Sequence, residues 1–152
     1  LNKERVVLSI QALTSARTVL RESMHEALTR RTFGKKLVEH PVIRAKLAEM
    51  AREVESCQAM LESVVFLFKS GVPDDKLGAQ CALLKAHASK ALDNCARMAV
   101  HVFGGQALIK EGRGRLVERI TRDPPEKLIP GGAYDILIDL AARQALRSVV
   151  KL

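Results

Sequence analysis

The chain has 152 residues, of which 47% are hydrophobic but only 3% aromatic, with no Trp and a formal net charge of +8. That length suits one domain with a proper core, and its aliphatic, Ala-, Leu-, Lys-, Arg- and Glu-rich composition argues for helices and against a β-sandwich. No uninterrupted apolar run approaches the roughly 18–20 residues needed to cross a bilayer.

Asn2 is placed to cap a first helix whose apolar side chains Val6, Ile10, Leu13, Leu20, Met24, Ala27 and Leu28 recur at helical spacing. The pattern runs to about Arg31, where Thr32-Phe33-Gly34 breaks it. A helix of about 28 residues is ~42 Å long, which suggests a bundle. A basic linker over residues 35–40 leads to Pro41, well suited to the first position of a second helix. That helix carries Ile43, Leu47, Met50, Val54, Cys57, Leu61, Val64, Val65 and Phe68 on one stripe and stops at Gly71. Val72-Pro73-Asp74-Asp75 forms a turn, with Asp74 or Asp75 as the cap of a third helix. Leu77, Cys81, Leu84, Ala88, Leu92, Cys95, Met98 and Val102 line it, and Gly104-Gly105 ends it. A short amphipathic stretch over residues 113–121 places Leu116, Val117 and Ile120 on one face. The last helix runs from Ala133 to near the end through Ile136, Leu137, Leu140, Ala141, Leu146, Val149 and Val150. The pattern predicts an all-α fold, an antiparallel up-and-down four-helix bundle with a short extra helix between the third and last, in a single domain spanning 1–152.

Cys57, Cys81 and Cys95 are odd in number, lack Cys-x-x-Cys spacing and fall on apolar stripes, so buried free thiols in a reducing, intracellular compartment are expected. His25, His40, His87 and His101 form no His-x-x-x-His pair, and no metal site is expected. The positive charge suits an anionic partner such as nucleic acid or a phosphate-bearing cofactor. Basic residues are spread over every segment without interleaved aromatics, so solvated helix faces are favoured over nucleic acid. Opening at Leu1, inside a helical pattern, the chain reads as a domain cut from a longer one. Residues 127–138 bring Pro130-Gly131-Gly132 to the mouth of the last helix, where free backbone N–H groups form a natural place for an anion or a polarised carbonyl. Taken alone, the same residues are a tight turn.

Three ordered signatures together resemble the C-terminal domain of the acyl-CoA dehydrogenases. The first is Arg30-Arg31-Thr32-Phe33-Gly34-Lys35-Lys36-Leu37-Val38-Glu39-His40 followed by Leu47-Ala48-Glu49-Met50; the second is His101-Val102-Phe103-Gly104-Gly105. The third is Arg122-Asp123 with Ile129-Pro130-Gly131-Gly132-Ala133-Tyr134-Asp135-Ile136. The resemblance covers essentially the whole chain. It implies an FAD-dependent oxidoreductase in which a carboxylate removes the α-proton of an acyl-CoA thioester while flavin accepts the β-hydride. It implies Arg30 at the FAD pyrophosphate of a neighbouring subunit and Phe33 packed on the cofactor. His101, Gly104 and Gly105 match the corner that holds its phosphates, with His in place of the usual Gln. Gly132 matches the glycine of the last signature, and Ala133 stands where a cofactor-contacting Thr is usual.

Gly131 occupies the position where most of the family keeps its catalytic Glu. The isovaleryl- and long-chain-type members also lack a Glu there and place the base in a Glu-Arg pair on the first helix, a position matched by Glu4-Arg5. The resemblance therefore implies Glu4 as base and Arg5 as the arginine orienting loop and substrate. Glu4 also suits the first turn of a helix as a partner of its dipole. The implied partners are the acyl-CoA substrate, further copies of the chain in a homodimer or homotetramer, and electron-transfer flavoprotein or oxygen as acceptor. Missing N-terminal and middle domains would leave the fragment alone inactive. The alternatives are a basic, nucleic-acid-binding relative without enzymatic activity and a bundle used for oligomerisation.

Overall fold

Residues Asn2–Thr29 form the first helix, α1, in the computed structural model, which describes residues 1–122 and 124–149 and all of their side chains except those of Pro125 and Ser148. Asp123 of the third signature and Val150 of the last stripe lie outside the described residues. The long helices that follow are α2 (Pro41–Lys69), α3 (Gly78–Phe103) and α6 (Tyr134–Val149). Two short ones, α4 (Arg115–Arg122) and α5 (Pro124–Leu128), cross between α3 and α6. The extra helix expected at residues 113–121 is α4, displaced by a residue or two, and α5 is an addition to the expected set.

Cross-bundle contacts fix the directions. Met50, Glu53 and Ser56 of α2 meet Cys95, Asn94 and His87 of α3 in reverse order, so these helices are antiparallel. Asn2 lies by Asp74 and Arg30 by Phe103, so α1 and α3 run the same way. Gln144 abuts Gly78 while Leu137 packs with Ala82 and Ala86, so α6 runs against α3. The result is the expected up-and-down bundle, with α3 at its centre. Leu84, Leu92, Cys95, Ala88 and Ala99 of α3 are all fully buried in the main core.

The buried stripe of α1 differs from the expected one. Ser9, Ala12, Ala16, Val19, Ser23 and Ala27 face the core, while Ile10, Met24 and Leu28 stand 44–51% exposed. α1 lies alongside an alanine-rich α3, and close approach of two backbones selects small side chains rather than large ones. Leu13 and Ala27 of the expected stripe are buried as expected, and Val6 and Leu20 pack against the core, while Ile10, Met24 and Leu28 are left on the outer face of α1.

Both expected caps are replaced. The amide of Asn2 donates to the Asp74 carbonyl at 2.7 Å and to its carboxylate at 3.4 Å, tying the start of α1 to the turn before α3. Asp74 and Asp75 lie in a 3-10 turn, Asp74–Lys76, and α3 starts beyond it with Leu77 at the cap position. The 35–40 linker is also more ordered than expected. Arg31–Thr32 (β1) pairs antiparallel with Lys35–Lys36 (β2), joined by Phe33 and Gly34, both at positive φ (50° and 78°). Two consecutive left-handed residues make the tight turn that matches strand twist.

The three cysteines are free and fully buried. Burial pushes the thiols of Cys57 and Cys81 up to about 11 and that of Cys95 up to about 12, with the nearby charges of Glu53 and Asp74 adding to the shift. Among the described residues, no helix is long and apolar enough to cross a membrane, and no cluster of His, Cys, Asp or Glu is placed to hold a metal.

Candidate active site

The loop between α5 and α6 closes through a Gly132 N–H to Ile129 carbonyl bond of 3.2 Å, with Gly131 at φ +75° and Gly132 at φ +120°. L-residues resist this left-handed backbone, so glycine is required in the turn. Its carbonyls turn inward onto side chains of α1 and α3. Arg5 Nε donates to Gly131 O at 3.0 Å, Lys85 Nζ to Leu128 O at 2.8 Å and Gly132 O at 3.0 Å, and Ser89 Oγ to Lys127 O at 3.3 Å. Arg5 is held in turn by the Asn2 side chain at 3.3 Å. The structure thus joins Arg5, Gly131 and Gly132, three of the residues expected at the site.

Lys85 is 1% exposed, the largest of the fully buried side chains. Burial holds its ammonium below the usual lysine range, and the charge of Arg5 adds to the effect. It was absent from the expected site, although the signal was there. Lys85 sits four residues after Cys81 and three before Ala88, on the stripe already assigned to the core, where a charged residue demands a partner.

Glu4 lies exposed on the first turn of α1 and has no hydrogen bond or ion pair to the described residues. Leu8 follows it at i+4 on the same face. A Cβ built on Gly131 would stand 2.8 Å from Leu8 Cδ1 and 3.6 Å from Arg5 Cγ. A side chain at position 131 would therefore point at the first two turns of α1, where Glu4 resides.

The remaining expected residues gather at the other end of α1 and α3. Arg30 Nη1 donates to the Phe103 carbonyl at 3.0 Å, next to the corner where Gly104 adopts φ +60°. A Cβ on either Gly104 or Gly105 would meet nothing within 4 Å, so the backbone there is open to a ligand. Arg30 also lies 3.7 Å from the carboxylate of Glu26, which is 3% exposed and is approached at 3.6 Å by Arg113. Phe33 projects from the hairpin tip at 97% exposure, in an edge-on arrangement with the His40 ring at 6.4 Å between centroids. His101 Nδ1 lies 3.1 Å from Lys46 Nζ. An ammonium can only donate, so Nδ1 accepts and Nε2 carries the hydrogen, free to donate outward.

These two groups are distant. Arg5 lies in the first turn of α1 and Arg30 just past its end, 25 positions on, about 38 Å at 1.5 Å per residue. The expected residues therefore fall into two groups, one at each end of the bundle, and no single pocket brings all of them together.

Comparison with known proteins supplies the context. The family described as acyl-CoA dehydrogenase, C-terminal domain, matches residues 1–146. An acyl-CoA dehydrogenase of Emericella nidulans, apdG, is 37% identical over 96% of this chain and 34% of its own length. The solved structure of a putative acyl-CoA dehydrogenase from Mycobacterium smegmatis superposes with a TM-score of 0.88 at 32% identity, covering 95% of this chain and 36% of that one. Butyryl-CoA dehydrogenase from Megasphaera elsdenii superposes with a TM-score of 0.86 at 25% identity over 96% of this chain and 37% of that one. The chain thus spans about a third of the length of the relatives it matches.

Proposed function

Since the chain belongs to the acyl-CoA dehydrogenase family, as its C-terminal helical domain, we propose that in the full-length protein it supplies the base and part of the cofactor site for α,β-dehydrogenation of an acyl-CoA thioester. The reaction removes a proton from Cα and a hydride from Cβ, leaving a trans-type double bond conjugated to the thioester carbonyl. Glu4 is the base. The observation that carries this assignment is the direction of Gly131: its missing side chain would point at the turns of α1 that bear Glu4, Arg5 and Leu8. A carboxylate delivered from position 4 therefore enters the same neighbourhood as one delivered from position 131.

A useful general base must be free of competing partners and screened from water, so that its proton affinity rises toward that of the acidified α-carbon. Glu4 has no partner among the described residues, and the segments of the full-length protein that cover it would supply the dry environment. Arg5 holds the loop through Gly131 O and so sets the spacing between the loop and the first turn of α1. With Leu8 filling the place a side chain would take, Gly131 presents loop backbone rather than a side chain to the substrate.

The corner at the other end suits a dinucleotide such as FAD. Arg30 retains N–H groups beyond its bond to Phe103 O and its ion pair with Glu26, His101 Nε2 offers a donor, and the Gly104-Gly105 backbone is clear of side chains. A planar guanidinium beside open backbone matches diphosphate oxygens, and the exposed Phe33 ring offers an apolar face to the cofactor. When bound, FAD supplies the acceptor for the β-hydride. An extended dinucleotide does not span the distance from Arg30 to Glu4, so the Arg30 corner serves a second copy, and the assembly is a homodimer or a dimer of dimers. Electron-transfer flavoprotein or oxygen would be the electron acceptor of the full-length protein.

Replacing Glu4 by Gln in the full-length protein tests the reading. Bound flavin should no longer be bleached by acyl-CoA, with FAD content and fold unchanged. Undiminished bleaching would refute Glu4 as base.

A further inference from the structure

We propose that Lys85 is a positioning residue that locks the active-site loop from beneath, so that the loop is a fixed wall of the site rather than a moving lid. The inference rests on the reading above, in which residues 129–132 border the reacting thioester. A buried ammonium is expensive to keep in an apolar helix stripe, and an apolar side chain of the same length would fill the space at less cost. Its hydrogen bonds show what it is kept for. Both go to carbonyls of the loop, Leu128 at 2.8 Å and Gly132 at 3.0 Å, which bracket the turn on either side. Between them Arg5 takes Gly131 O from the opposite helix. Three carbonyls of one five-residue turn are thus pinned from α1 and α3, two long helices that both contribute to the main core.

Three anchors from two rigid elements leave such a turn no soft direction. A loop held by water alone would sample several shapes around two glycines, each with a different gap to Glu4. Lys85 removes that freedom before substrate arrives, which is the structural meaning of a preorganised site. Lys85 touches neither substrate nor cofactor; it acts through the loop backbone. Ser89, one turn further along α3, extends the same arrangement to Lys127 O at 3.3 Å.

The test compares Lys85→Met, which keeps length and removes the donors, with Glu4→Gln and wild type, each as FAD-loaded full-length protein. The first readout is amide hydrogen exchange across residues 128–133 without substrate. In Lys85→Met these amides should exchange at least about tenfold faster, while the α2 and α3 core keeps wild-type protection. The second is steady-state turnover: kcat should fall by about 10²-fold with KM and FAD stoichiometry near wild type, as expected for misplacement of roughly 1 Å. Glu4→Gln should lose turnover with wild-type loop exchange, which separates failure of the base assignment from failure of the Lys85 assignment. Wild-type loop exchange in Lys85→Met overturns the proposal, as does loosening spread equally through the core. A loosened loop with wild-type kcat overturns it too. If Lys85→Met does not fold, Lys85→Gln, whose amide retains two donors, is read by the same criteria with a smaller expected rise.

Discussion

Replacing Gly131 by Ala probes the loop geometry directly. The backbone at 131 has φ +75°, and a Cβ would stand 2.8 Å from Leu8 Cδ1. Holding an L-residue in the left-handed region costs roughly 1–2 kcal/mol. Leu8 must then rotate away, and since the touching atom is the end of a flexible side chain, that adds about 0.5–1.5 kcal/mol of rotamer strain. Together these predict a loss of about 2–3 kcal/mol. The assay is urea denaturation of the 152-residue chain, with Gly105→Ala as control. Gly105 lies outside the left-handed set and its Cβ would meet nothing within 4 Å, so the control should fall within about 0.5 kcal/mol of wild type. Equal stabilities for the two variants would refute the loop geometry. The functional counterpart is Gly131→Glu in a Glu4→Gln background, which should restore measurable flavin bleaching because the new carboxylate enters the region of Glu4. A doubly substituted protein that folds and binds FAD yet stays inert would contradict the shared approach direction.

Two further outcomes follow from the separation of the two groups of residues and from core burial. If the Arg30 corner serves a second copy, mixing inactive Glu4→Gln and Arg30→Ala proteins under conditions of subunit exchange should regenerate activity in about a quarter of all sites, since half the dimers are mixed and each carries one intact site; no recovery in verified mixed dimers would show that the two groups serve the same protomer's site. The thiols of Cys57, Cys81 and Cys95, pushed up to about 11, 11 and 12, hold a thiolate fraction of about 10⁻³ or less at pH 8, so a thiol-specific chromogenic reagent should detect none in native protein and three after unfolding, with rapid labelling of any native thiol counting against the buried assignment.

The bundle was legible in the sequence because its helices are long and their stops are chemically explicit: Pro41 at a start, Gly71 and Gly104 at ends. Apolar periodicity in α1 picked out Leu13 and Ala27 but not Ala12, Ala16 and Ser23, which are buried where Ile10 and Met24 are exposed. The hairpin at Arg31–Lys36 is too short to leave a strand pattern, and its turn is formed by Phe33, a residue that turn rules do not nominate for positive φ. At the site, the resemblance pointed to Arg5 and the glycine loop, and the structure places Arg5 Nε on Gly131 O. Lys85 went unread because a lysine within a helix is ordinarily solvated. Only the contact between residues 85 and 128–132, more than forty positions apart, reveals what it serves.

Phe33 carries one more consequence. An aromatic ring on a loose segment gives up backbone and side-chain freedom when something covers it, and that loss cancels much of the contact energy. On this hairpin the backbone is already set by the β1–β2 pairing, so a covering surface restrains only two torsions. With 97% of the side chain still in water, nearly the whole transfer term of about 1.5–3 kcal/mol is available. The ordering of the Phe33 backbone is therefore met during folding, and a surface that covered the ring would not have to meet it again.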